Sequence, residues 1–185
     1  RSDGHSVHAP DVYDGRTFDD LDEGVAHLQS IGFDELGRRA LSAIEDLPAE
    51  VFYVGMSMGT NLTEVALLAR PGARGAALLY GGLSPDVLEV PALKSLPVQA
   101  HYSEKDPWID DYTERVVREL GGQLFVYPGS GHLLADWVSP AYDPPTMPTV
   151  PSDQGCAAAH SIVSYPSRLA PHASSRKGRC SPSLA

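Results

Sequence analysis

The chain is nearly free of cysteine: Cys156 and Cys180 are the only two among 185 residues. They lie far apart and outside any metal-ligand or redox spacing, which excludes a disulfide scaffold and a cysteine zinc site as organising principles. They read as incidental free thiols. Long apolar runs are missing as well, and none approaches the roughly 20 residues that a membrane-crossing helix needs. The charged opening Arg1-Ser2-Asp3 is followed by no apolar signal-peptide core, so a soluble, cytoplasmic protein with no membrane partner is expected. Positive charge is scarce: 14 Lys and Arg stand against 24 Asp and Glu, a formal net charge of -10. Neutralising phosphates needs clustered cations, so nucleic acid is not an expected partner and a small molecule is. No pair of histidines has the tight spacing of a metal site, and no metal is expected. Methionine is absent from position 1, where Arg1 stands, and a fragment or processed form is the corresponding expectation.

What is present is a chain long enough for one domain with a real core. Over residues 1–142, short β-rich runs alternate with helical patterns, the mark of an α/β fold whose mostly parallel sheet is flanked by helices. Strands are expected over residues 5–9, 51–54, 75–80, 98–102 and 123–127. Thr17 is expected to cap a first helix with Phe18, Leu21, Val25 and Leu28 on one face. Asp34 is expected to cap a second with Leu36, Ala40, Ile44 and Leu47, the two being stopped by Gly32 and Pro48. A third helix should run over residues 58–70 before Pro71-Gly72, and a fourth over 110–120 before Gly121-Gly122, since such pairs end helices. From Asp143-Pro144-Pro145 onward the composition shifts to Pro, Ser and Ala, with Arg168, Arg176, Lys177 and Arg179 making a basic end. No period of 3.6 or 2 survives there, so residues 143–185 are expected to form a disordered tail. So abrupt a switch is what an altered reading frame or an unusual extension produces. One uninterrupted frame in the encoding DNA, matching close relatives through this region, removes that idea.

The strongest local signal is Val51-Phe52-Tyr53-Val54-Gly55-Met56-Ser57-Met58-Gly59, a β-rich run that enters Gly-x-Ser-x-Gly and then a helical pattern. A turn this sharp needs Gly55 and Gly59 to leave room for the backbone, and it pushes Ser57 out over the sheet edge as a nucleophile. The bland alternative is a Gly-rich turn with a surface serine. The helix that starts beside Ser57 aims N–H groups at a developing oxyanion, and the Met58 N–H is the natural first donor. A serine needs a base, and the base needs an orienting acid. The loop after residues 98–102 reads Ser103-Glu104-Lys105-Asp106-Pro107-Trp108 and places Asp106 beyond a strand's carboxyl end, where ligands bind in open α/β sheets. Glu104, Asp110 and Asp111 compete with it, but Pro107 fixes the backbone after Asp106, and Asp110 and Asp111 suit helix capping. The loop after residues 123–127 reads Pro128-Gly129-Ser130-Gly131-His132 and presents His132 as the base. His5, His8, His27, His101, His160 and His172 sit on expected strands, a helix or the tail and read as structural or surface residues.

With these residues in place, the chain resembles the dienelactone hydrolase family of α/β-hydrolases. The resembling stretches are Gly4-His5-Ser6-Val7-His8-Ala9-Pro10-Asp11-Val12-Tyr13, the elbow from Gly55 to Gly59, residues 75–80, the loop through Asp106-Pro107-Trp108, and Tyr127-Pro128-Gly129-Ser130-Gly131-His132. Together they span residues 4–143. The resemblance implies a carboxylic ester hydrolase that cleaves a small ester or lactone through an acyl-enzyme, with no cofactor. The family's founding enzymes use a cysteine nucleophile where this chain has Ser57, a departure that points toward a general esterase or a divergent member. Tyr13, Arg16 and Trp108 are the substrate-binding candidates. Arg16 either holds a substrate carboxylate, whose geometry a guanidinium matches, or is an exposed loop arginine. Trp108 either walls the pocket or packs. In the family one or two further strands and a helix come first, and a third strand lies between those resembling residues 5–9 and 51–54. The loop after it supplies the second oxyanion donor, and a final helix follows the histidine. Without them the sheet is expected to be incomplete, with a central gap, and the chain weakly stable and poorly active. The reading from another class is a non-catalytic remnant or binding module that keeps the sheet and pocket without turnover.

Overall fold

The computed structural model describes residues 6–136 and residue 139. In chain order its elements are helices α1 (Leu21–Ile31) and α2 (Phe33–Ala43), strand β1 (Phe52–Met56), helix α3 (Met58–Ala69), strand β2 (Gly75–Leu79), strand β3 (Val98–Ser103), helix α4 (Thr113–Glu119) and strand β4 (Gln123–Tyr127). All neighbouring strands run parallel, in the order β1-β2-β3-β4. Parallel neighbours need a crossover that returns over the sheet. Helix α3 makes the first, two short 3-10 turns (Pro85–Glu89 and Pro91–Leu93) the second, and α4 the third. This mostly parallel sheet with flanking helices is an α/β-hydrolase-type arrangement, and all its strands point their carboxyl ends the same way.

The sequence of β2, Gly-Ala-Ala-Leu-Leu, is buried at all five positions, as a near-continuous apolar run is when a parallel strand is covered on both sides. One face of the sheet carries Ala76, Leu78, Val98 and Ala100 against Leu67 of α3, Val116, Val117 and Leu120 at α4, and Leu83, Val87 and Leu93 of the second crossover. A separate cluster of Val12, Leu36 and Ala40, joined by Met58 and Leu62, packs the α1–α2 pair onto α3.

Several expectations need correction. Residues 6–9 form no strand and are exposed, so four strands rather than five are seen among the described residues. They are contiguous, and the expected central gap does not arise. The first helix is capped by Asp20, whose carboxylate accepts the Glu23 N–H, rather than by Thr17. Its end at Gly32 is as expected, because φ of +87° there suits glycine. That same Gly32 precedes α2 and leaves Asp34 in the first turn instead of at the cap. Helix α4 begins at Thr113, with Tyr112 at its cap and no side-chain cap from Asp110 or Asp111. The 143–185 tail, His5, His160, His172 and both cysteines lie outside the described residues.

On the other face of the sheet His101 stacks on Phe125, ring centroids 4.5 Å apart, and its Nδ1 pairs with the Tyr127 hydroxyl at 2.7 Å. Burial pushes this imidazole down to about 4. The unfolded chain takes up that proton near the ordinary value of 6.5, so between these limits the unfolded state binds more protons and stability falls as pH falls. Urea melts at pH 7 and pH 5 should therefore differ less in His101→Gln than in the unaltered protein. An equal drop in both would assign the acid sensitivity to other groups.

Candidate active site

Ser57 stands between β1 and α3 with φ +51° and ψ -120°, a conformation that a non-glycine residue adopts only when its surroundings over-determine it, at about 1–3 kcal/mol. The surroundings are visible. The Ser57 N–H donates to the Leu79 carbonyl at 2.8 Å, and the Ser57 carbonyl accepts from the Thr60 N–H at 2.9 Å and the Thr60 hydroxyl at 2.8 Å. Backbone bonds on both sides thus hold the turn, and the side chain is thrust beyond the sheet edge. Met58 is the first residue of α3, where an N–H has no intrahelical acceptor and stays available to an anion.

The elbow depends on its two glycines unequally. A Cβ on Gly55 would lie 2.5 Å from the Gly59 carbonyl oxygen and 2.7 Å from Thr63 Oγ1. It is therefore Gly55 that lets α3 lie against β1. A Cβ on Gly59 would meet nothing within 4 Å, which corrects the expectation that both glycines leave room for the backbone. Gly55→Ala should cost about 1–3 kcal/mol or more by overpacking, whereas Gly59→Ala should be nearly neutral. Thermal melts of the two variants side by side check this, and similar losses would refute it.

Asp106 and His132 arrive on the loops that follow β3 and β4, and those loops are sewn together. The Glu104 N–H donates to the Tyr127 carbonyl at 2.7 Å, the Lys105 N–H to the Gly129 carbonyl at 2.9 Å, and the Ser103 hydroxyl to the Gly131 carbonyl at 2.6 Å. The Asp106 carboxylate is fully buried and both of its oxygens are engaged. Oδ1 accepts the Trp108 N–H at 3.0 Å, and Oδ2 lies 2.8 Å from His132 Nδ1. The other imidazole nitrogen, Nε2, is 2.9 Å from Ser57 Oγ. An ionised carboxylate only accepts, so Nδ1 carries the proton and Nε2 is left to accept from the serine hydroxyl. A hydroxyl, an imidazole and a carboxylate from three separate loops thus form one chain of hydrogen bonds at the carboxyl edge of the sheet.

The competing groups stand elsewhere. Glu104, Asp110 and Asp111 are exposed. The Asp110 carboxylate pairs with the Tyr112 hydroxyl, which burial, first, and this partner push up to about 12. His8 is exposed, His27 packs on Tyr13 and Phe18, and His101 is the stacked residue described above. Trp108 is 54% exposed, with its ring 5.8 Å from that of His132, so it lies at the surface beside the imidazole instead of packing in the core. Tyr13 reaches the elbow, donating its hydroxyl to Met58 Sδ at 3.3 Å. The loop that bears it is pinned by Arg39, which donates to the Val12 carbonyl at 2.9 Å and to Asp14 Oδ2 at 2.8 Å. Arg16 is exposed, and its side chain makes no ion pair among the described residues.

Sequence reasoning missed Ser103, which fastens the two loops, and Tyr80, whose ring meets His132 edge-on with centroids 5.8 Å apart. Tyr80 was detectable only as an aromatic residue at a strand end before Gly81-Gly82. Among the described residues no helix is long and apolar enough to cross a membrane. A family model described as the dienelactone hydrolase family matches residues 2–146. No curated protein matches the chain.

Proposed function

The chain belongs to the dienelactone hydrolase family, and on that premise we propose that it is a serine hydrolase that cleaves a small carboxylic ester or lactone through an acyl-enzyme. The observation that carries this reading is the Ser57 Oγ–His132 Nε2–Asp106 relay at 2.9 and 2.8 Å on a strained strand-to-helix turn. His132 takes the proton of Ser57 as its oxygen attacks the carbonyl carbon. The resulting oxyanion is held by the Met58 N–H at the start of α3, and Asp106 balances the imidazolium. Collapse expels the alcohol with the proton that His132 returns. Water activated by the same imidazole then releases the acid.

The half-exposed Trp108 ring beside His132 offers an apolar wall for the substrate, and Tyr13 bounds the elbow from the Met58 side. Arg16 is the third binding residue of the proposal, reaching a carboxylate only if the substrate brings one. The partner is accordingly a small molecule rather than a nucleic acid or a membrane, the chemistry uses no cofactor, and the setting is cytoplasmic. Residues 1–142 form the hydrolase domain of this proposal, with 143–185 as an appended tail.

A fluorophosphonate probe with an ester and lactone panel tests the reading. Labelling that maps to Ser57 and disappears in His132→Ala supports it, together with turnover of at least one ester. A folded sample that neither labels nor turns over would favour a non-catalytic member of the same family.

A further inference from the structure

Tyr80 is buried, lies directly after β2, and has φ +60°, a backbone state that an aromatic residue adopts only under constraint. Its neighbours are tied to the serine turn. The Leu79 carbonyl accepts the Ser57 N–H at 2.8 Å, and the Tyr80 N–H donates to the His101 carbonyl at 2.8 Å on β3. On its far side a Cβ on Gly81 would collide with Thr60 Oγ1, the same hydroxyl that donates to the Ser57 carbonyl. The chain around Tyr80 therefore cannot move without moving the elbow.

The side chain reaches the opposite way. Its hydroxyl oxygen accepts the Ala135 N–H at 2.9 Å, three residues past His132, and its ring lies edge-on to the imidazole at 5.8 Å. Leu79, Tyr80, Tyr127 and Leu134 form a buried cluster beneath this contact. The loop that carries His132 turns back at Leu133, where φ is +57°, and it enters no strand before Asp136. The Ser103 hydroxyl holds this loop at Gly131, just before His132, and the Tyr80 hydroxyl holds it at Ala135, just after, from a residue locked to the serine turn.

We infer that Tyr80 is a positioning residue: its hydroxyl, by accepting the Ala135 N–H, holds the His132 loop at proton-transfer distance from Ser57. The inference rests on the hydrolase reading for its effect on rate, but not for its effect on the imidazole. Misplacement of a catalytic group by about 1 Å costs up to about 100-fold in rate, so Tyr80→Phe should lower kcat by about 10- to 100-fold and leave KM nearly unchanged. The second readout is the NMR resonance of the His132 Nδ1 proton shared with Asp106, assigned by its loss in His132→Gln. It should be present in the unaltered protein and shifted or broadened in Tyr80→Phe. Ala135→Pro removes the same hydrogen bond from its other end, serves alone if Tyr80→Phe fails to fold, and should combine with it non-additively. An unchanged kcat and resonance in a folded Tyr80→Phe, or full additivity in the double variant, overturns the inference. Absence of the resonance from the unaltered protein does the same, because the loop is then not held. A protein that shows the resonance and responds to Tyr80→Phe, yet never labels with fluorophosphonate, sinks the hydrolase reading and leaves Tyr80's role standing.

Discussion

Ser57→Ala should lower kcat for ester turnover by about 10⁶-fold, the scale on which removal of a serine nucleophile acts elsewhere. The fold should survive the change. The backbone bonds from Ser57 to Leu79 and Thr60 do not involve the hydroxyl, so the strained turn remains over-determined. Only one hydrogen bond, the 2.9 Å contact with His132 Nε2, is lost. Activity should not reach zero. Met58 still opens α3 beside the site, and an oxyanion donor with binding alone accelerates hydrolysis over water by about 10³–10⁴-fold in enzymes of this design. The check is a burst titration and steady-state assay of Ser57→Ala beside the unaltered protein, with a melt to establish folding. Substantial turnover by a folded Ser57→Ala would remove the serine from the mechanism and with it the proposed acyl-enzyme.

The second large effect concerns Asp106 and depends on which oxygen faces which donor. The Trp108 N–H points at Oδ1 and needs an acceptor there, whereas Oδ2 faces His132 Nδ1. In Asp106→Asn the amide oxygen must take the Oδ1 place, because an NH₂ group there would confront another donor. The NH₂ group then faces Nδ1 and forces it to accept. The imidazole proton moves to Nε2, the nitrogen 2.9 Å from Ser57 Oγ, which can no longer take the serine proton. An isosteric change should therefore lower kcat by about 10⁴-fold, as the wrong tautomer does in other triads, with KM little altered. Because the carboxylate is fully buried with both oxygens engaged, Asp106→Ala should lose thermal stability as well, and Asp106→Asn much less. If Asp106→Asn keeps most of its turnover, Asp106 does not set the tautomer, and exposed Glu104, Asp110 or Asp111 would need reconsideration.

The elements that sequence reasoning located best are those where one local rule prevails. The β2 run of Gly-Ala-Ala-Leu-Leu reads as a buried parallel strand, and the stretch from Phe52 through Gly59 reads as strand, turn and helix. In both, composition, turn residues and periodicity agree. Prediction went astray where a local signal needs a partner to be realised. Residues 5–9 have strand-like composition, but a strand exists only as part of a ladder, and residues 6–9 join none. The helix caps moved because Thr17 and Asp20 are both capable caps for α1 and a local rule does not choose between them, while α2 has its cap at Gly32, too early for Asp34 to fill that position. Gly59 was credited with a steric need that belongs to Gly55 alone, because which glycine is approached depends on how the helix lies on the strand.

The sequence by itself determined the kind of fold, the three side chains proposed for the chemistry and the order in which they occur, since these follow from hydrophobic period, turn-forming residues and the functional groups themselves. Only the tertiary structure decided that the hydroxyl of Ser57 and the imidazole of His132, 75 positions apart, lie 2.9 Å from each other. It likewise decided that Trp108 stays half exposed beside His132 and that the Tyr80 hydroxyl meets the Ala135 N–H of the histidine loop. The physical reason is that such contacts arise from strand register and loop-to-loop bonds across the parallel sheet. Those depend on residues distant along the chain, and no local pattern encodes them.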